Sequence, residues 1–199
     1  ALIPHPVSFV MFAGDLVDKP SNQSEWTTFL NTINTRLTAS GIPYQAVPGN
    51  NDWNNTVGFT NYHTYIGSSG VWETGSNFVV GNNGLTVTTG WHGLDFIGLN
   101  NSNGGYNVVS STDLSVIDLL ASQAAGRNEN IFLVAHHPHN ENGSIPLAQT
   151  LNNPDVVGYM RGHTRSPRAT SGLSGIANPN VWDLNSAGII NRGGILYYE

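Results

Sequence analysis

At 199 residues and 21.3 kDa, the chain has room for one ordinary domain with a sizeable apolar interior and is too short for a multidomain machine. A hydrophobic fraction of 39% excludes a disordered tail, while only 10% of residues are charged, against about 25% in an average soluble domain, so Asn, Ser and Thr make up most of the polar surface. The net charge of -6 offers no basic field to a phosphate backbone, which excludes nucleic acid as a main partner, and zero cysteines exclude disulfides, thiolate ligands and a cysteine nucleophile.

Val7 to Ala13 is a nearly continuous apolar run ending at Gly14-Asp15, and it reads as a buried strand. Trp26, Phe29, Leu30, Ile33 and Leu37 recur at helical spacing over Ser24 to Leu37, with Ser21, Asn22 or Ser24 as N-cap and Gly41 as a stop. Tyr44 to Val47 is a second brief strand, broken by Pro48-Gly49 and followed by a polar loop over Asn50 to Thr56. Asn77 to Val80, Leu85 to Thr89 and Leu94 to Leu99 read as strands, the first two joined by an Asn82-Asn83-Gly84 turn. Thr112 or Asp113 caps a helix running through Leu114, Ile117, Leu120 and Ala121. Ile131 to Ala135 and Val156 to Met160 are further buried strands, and Val181 to Leu184 and Ile195 to Tyr198 close the chain. Repeats, linkers and apolar runs of about 18 residues are absent, so a single domain over residues 1-199 without a membrane span is expected.

Four of these strands end in polar clusters: Gly14-Asp15-Leu16-Val17-Asp18, Gly49-Asn50-Asn51-Asp52, His136-His137-Pro138 and Gly162-His163-Thr164-Arg165. Ligand sites of open α/β sheets lie at the carboxyl ends of strands, so the four clusters can converge on one crevice. Asp, Asn and His side chains suit Zn, Mn or Fe, and a carboxylate can bridge two ions. The chemistry implied is metal-assisted attack of hydroxide on a phosphoester.

The order GDLVD, GNND, HHP, GHTR resembles the calcineurin-like metallophosphoesterases, whose blocks run DxH, GDxxD, GNH(D/E), HxP and GHxH. The resemblance implies that family's α/β sandwich of two mixed sheets flanked by helices, here lacking the first strand, with the N-terminus of the domain incomplete. It implies Asp15 as the bridging carboxylate and Asn50, His136 and His163 as the other ligands of one metal. The first metal's remaining ligands are missing, because no DxH block precedes Asp15 and Arg165 stands at the last position of GHxH. Asn51 replaces the family's catalytic His, and an amide cannot act as a general acid near neutral pH. Asp18 keeps the place of the residue that often holds that His, or acts as a substitute ligand, and Arg165 places a fixed cation where it repels a metal and attracts a phosphate.

Other residues have plainer readings. His137 and His139 line a rim or hydrogen-bond locally, His5, His63 and His92 are surface or structural, and Trp53, Trp72 and Trp91 are buried or half-buried aromatics. Arg161 and Arg168 either join Arg165 in an anion-binding cluster or form a solvated positive face. A neighbouring chain, an upstream segment or a rearranged N-terminus is expected over the edge left open by the missing first strand. Two functions follow: a phosphoesterase with a degenerate site holding one divalent ion at most and little activity on a phosphoester, or a non-catalytic structural or binding module of an extracellular, filament or virion assembly. With Lys19 as its single lysine, the composition favours an extracellular, surface or virion location over the cytoplasm.

Overall fold

The computed structural model describes residues 10-42, 44-53, 56-66, 79-80, 86-91, 93-102, 106-164 and 168-185. The expected apolar runs form two sheets. In the first, β1 (Val10-Ala13) pairs in parallel with β2 (Tyr44-Val47), Val10 opposite Tyr44 and Ala13 opposite Val47. The strands therefore finish level, which sets the Gly14-Asp15 turn beside the Gly49-Asn50 turn. Among the described residues β1 pairs with β2 alone.

The second sheet runs in the order β3 (Val79-Val80), β4 (Thr86-Trp91), β5 (Leu94-Gly98), β6 (Asn130-Val134), β7 (Val156-Arg161), β9 (Trp182-Asn185), β8 (Arg168-Ser171). Strands β5, β6, β7 and β9 are parallel, and the outer pairings are antiparallel. Gly98 lies opposite Val134, which lies opposite Met160, so β5, β6 and β7 also end level. Ala13 and Val47 of one sheet pack with Val134 of the other, sealed by Met11, Phe132 and Met160.

Helices cover the sheets. The helix α1 (Gln23-Arg36) starts at Asn22, whose side chain accepts from the Ser24 N-H, and buries Trp26 and Ile33. The helix α3 (Ser111-Gly126) buries Ile117, Ala121 and Ala124 against Ile97, Leu99, Ile131 and Leu133. Its cap is Ser110, not Thr112 or Asp113: Ser110 is extended, and its hydroxyl accepts from the Asp113 N-H and donates to the Asp113 carboxylate.

Two elements lack a local signal. The helix α2 (Thr56-Tyr65) contains Gly58, three Thr or Val residues in its first five positions and several aromatics, all poor helix formers. Its tertiary contacts hold it: the Tyr62 hydroxyl donates to Ala46 O, Asn61 Nδ2 donates to Pro20 O, and Tyr62 meets Trp26 and Trp53 edge to face. The polar strand β8 exists through its antiparallel pairing with β9. A short helix, α4 (Ala148-Leu151), precedes β7. No helix among the described residues is long and apolar enough to cross a membrane. The expected closing strand at Ile195 to Tyr198, along with His5, Trp72, His92 and the Trp91 side chain, lies outside the described residues.

Candidate metal centre

Because the strands of both sheets end level, the polar clusters meet at one edge. Two glycines allow the close approach. A Cβ on Gly14, which sits at φ +82°, would lie 2.5 Å from His136 Nδ1, and one on Gly162 would lie 2.5 Å from Ala13 O. The His136 ring occupies the slot between these turns and is 1% exposed.

Polar atoms from three other turns converge on the His136 ring. Its Nδ1-H donates to Ala13 O at 2.7 Å, which turns Nε2 inward. That nitrogen lies 3.0 Å from Asn50 Oδ1, 3.2 Å from His163 Nδ1 and 3.4 Å from Asp15 Oδ2, and His163 Nδ1 lies 3.1 Å from Asn50 Oδ1. Asn50 Nδ2 donates to Asn51 Oδ1 at 3.1 Å, so the Asn50 oxygen faces the histidines. The distances of 3.0-3.2 Å among Asn50 Oδ1, His136 Nε2 and His163 Nδ1, with Asp15 Oδ2 at 3.4 Å from His136, are of the size of ligand-ligand edges for bonds of about 2.0-2.2 Å. The donor set of one carboxylate, one amide oxygen and two imidazoles fits Zn, Mn or Fe.

Backbone strain accompanies the site. Asp15 at φ +55° and His163 at φ +60° both occupy the left-handed region, uncommon for side chains of this size and concentrated where function demands it.

Electrostatics follow from the crowding. Burial works against charge on Asp15, but the hydrogen bond and charge of His136, the Asn51 N-H and His163 together hold its pKa below the ordinary carboxylate value. Burial likewise opposes a charged His136, yet the Asp15 hydrogen bond and charge raise its pKa. His163 is lowered by burial and by the neighbouring His136, with Glu141 and Asp15 opposing. His137 is completely buried, and burial with two adjacent imidazoles pushes it down to about 3.

Residues beyond the four ligand candidates build the frame. The buried Asp52 accepts the Leu16 and Val17 N-H groups on one oxygen and the Gly49 N-H on the other, latching the first two turns together. Asn101, also completely buried, accepts the N-H groups of His136 and His137 and donates to His137 O. Asn107 donates to the His139 and Ser144 carbonyls and so secures the following turn. Asn101→Leu is expected to lower stability by about 2-4 kcal/mol, since it strips partners from buried backbone groups at the His136-His137 turn; equilibrium denaturation measures this, and an unchanged midpoint contradicts the role assigned to Asn101.

The sequence-predicted residues fare differently. Asp15, Asn50, His136 and His163 come together. Asn51 stands beside them, its N-H on Asp15 and its Oδ1 on Asn50. Asp18 lies exposed on the turn beyond, its N-H bonded to Glu25, and Arg165 lies outside the described residues. Arg161 departs from both expectations. It is buried, its guanidinium is bidentate to Asp183 at 2.7 and 3.0 Å, and it also bonds Thr164, so it is neither a solvated face nor an open anion site. The cavity of about 500 Å3 that it lines with Asn140 and Thr164 therefore contains no uncommitted charge from this arginine. Trp53 is buried, and His63 packs edge to face against it, as structural residues do. His137 Nδ1 donates to Glu141, a local bond, whereas His139 Nε2 donates to Ser174 O, 35 positions away. The roles of Asp52, Asn101 and Glu141 were not anticipated. The polar pair Asn100-Asn101 after the apolar Leu94-Leu99 run is the same strand-end signal that marked the other clusters.

The sequence model for the calcineurin-like phosphoesterases matches residues 1-167. Among solved structures, a dimetal phosphatase from Danio rerio superposes with a TM-score of 0.68 at 13% identity, covering 92% of this chain and 73% of that one. No curated protein sequence matches the chain.

Proposed function

Since the chain belongs to the calcineurin-like phosphoesterase family, we propose that it retains one divalent-metal half-site, held by Asp15, Asn50, His136 and His163, in an otherwise degenerate phosphoesterase centre with weak or no turnover. The approach of Asn50 Oδ1, His163 Nδ1 and Asp15 Oδ2 to His136 Nε2 carries this reading. Ring nitrogens on the far side support it: His136 Nδ1 is engaged by Ala13 O, and His163 Nε2 faces Glu141. Ligating histidines usually have such outer partners. The structural neighbour is by name a dimetal phosphatase, whereas the donor set here suffices for one ion.

When bound, a Zn, Mn or Fe ion supplies Lewis acidity toward a phosphoryl oxygen and lowers the pKa of a bound water. The chain's own residues do the rest. Asp15, part-exposed at the mouth, and the Asn51 amide face the crevice, where the amide can hydrogen-bond a phosphoryl oxygen but cannot protonate a leaving group. Arg165, two residues after His163 in the chain and outside the described residues, is the cation proposed for the phosphate. The missing acid, at a position inside the chain, accounts for low turnover.

Metal content of protein purified without chelator is the test. About one Zn, Mn or Fe per chain is expected, with slow hydrolysis of a generic phosphodiester in added Mn or Zn. Absence of metal would favour the non-catalytic binding or assembly module, to which the sparsely charged Asn/Ser/Thr surface is suited. Rapid turnover would overturn the degenerate reading.

A further inference from the structure

The family's sequence blocks do not include Glu141, yet its carboxylate reaches two imidazoles of the cluster. Oε2 lies 2.8 Å from His137 Nδ1 and Oε1 lies 3.3 Å from His163 Nε2. His136, His137 and His163 bring their ligand atoms within 4.8 Å of one another, so the ring orientations must be assigned without collision. We infer that Glu141 is the positioning residue of this centre, selecting the tautomers of His137 and His163 so that His163 presents a bare Nδ1 to the half-site; this rests on the half-site reading above.

An ionised carboxylate only accepts hydrogen bonds, so it places the proton on His137 Nδ1, which it hydrogen-bonds, and its charge favours the proton on His163 Nε2, which it meets as an ion-pair contact without a hydrogen bond. For neutral His163 that places the proton on Nε2 and a lone pair on Nδ1, the atom 3.1 Å from Asn50 Oδ1 and 3.2 Å from His136 Nε2. Without Glu141 the opposite tautomer gains, because Nδ1-H can donate to Asn50 Oδ1, and that proton then occupies the direction a metal needs. The same carboxylate holds His137 as the Nδ1-H form, which leaves its Nε2 buried without a partner. His137 packs beside His163, with ring centroids 4.4 Å apart. Glu141 is itself held in place, because its turn is tied down by Asn107, which bonds the His139 and Ser144 carbonyls on either side of it. The ring of Tyr106, half exposed, lies 5.1 Å from His137 and 5.6 Å from His163 and covers the pair from outside.

The test reads tautomers and ion affinity separately. Imidazole nitrogen chemical shifts of metal-free protein are expected to show His163 as Nε2-H and His137 as Nδ1-H. In Glu141→Ala, His163 should shift toward Nδ1-H, and Zn affinity measured against a chelating dye should fall about 10-100-fold, the usual effect of losing an outer-shell partner. Glu141→Gln is isosteric and keeps the turn, but it offers one acceptor and one donor, so one of the two rings should reverse its tautomer; it gives the answer if the alanine variant does not fold. Unchanged tautomers in either folded variant, or wild-type Zn affinity in Glu141→Ala, would overturn the role of Glu141. A wild-type chain that binds no ion while its tautomers still respond to Glu141 would leave the positioning role intact and remove the half-site reading instead.

Discussion

His136→Ala is expected to abolish stoichiometric ion binding, with a loss of affinity well beyond the ~10-100-fold typical of an outer-shell deletion. The ring supplies an atom close to all three other ligand candidates, with Asn50 at 3.0 Å, His163 at 3.2 Å and Asp15 at 3.4 Å. It also fills the slot that Gly14 and Gly162 leave open between the sheets, and it satisfies Ala13 O. Removing it therefore costs the metal-free fold about 1-3 kcal/mol for the orphaned carbonyl, apart from any ion. Elemental analysis measures the first effect, and denaturation in chelator measures the second. An alanine variant that keeps one ion per chain would place the metal elsewhere.

Asp52→Ala is expected to destabilise the chain by about 3 kcal/mol, since the three buried N-H groups of Leu16, Val17 and Gly49 would lose their acceptor. The pH dependence of the wild type has a definite sign. Burial, with Asp15's charge adding to it, outweighs the three backbone donors and pushes the Asp52 carboxyl up to about 7 from 3.8. Between these values the folded state binds the proton and the unfolded state does not, so stability falls as pH rises, by up to roughly 1.4 kcal/mol per pH unit. The His136 contribution is lost in the same direction as pH rises above 6.5 through its raised value. Asp15, whose pKa is lowered, acts in a separate window: its contribution is present above 3.8 and is lost as pH falls further. Denaturation of wild type and Asp52→Asn from pH 4 to pH 7 checks this, and a slope that survives in Asp52→Asn would assign it to another group.

Much of the frame was legible because buried parallel strands advertise themselves. The runs ending at Ala13, Val47, Ala135 and Met160 are apolar and short, and Gly or His follows within two residues, so both the strands and the chemistry at their ends could be read. The helix α2 was not legible, because Gly58, Thr and aromatic residues give no local preference and its stability comes from Tyr62 and Asn61 reaching Ala46 and Pro20. Arg161 was misread for a related reason. A charged residue next to a metal motif suggests an open cation, yet its partner Asp183 comes from β9, the strand placed beside β7 by topology.

The sequence by itself determined the candidate donor types and their order, Asp15, Asn50, His136 and His163, and put each just past an apolar strand. Only the tertiary structure decided which atoms meet. The contact that orients His136 spans 123 positions in the chain, from its ring to Ala13 O, and the clamp on His163 comes from Glu141 in a different turn. Periodicity and capping report neighbours within a turn or two of the chain. The mutual approach of side chains from two sheets depends on strand register and on how closely their glycine turns pack, and no local pattern of residues carries that information.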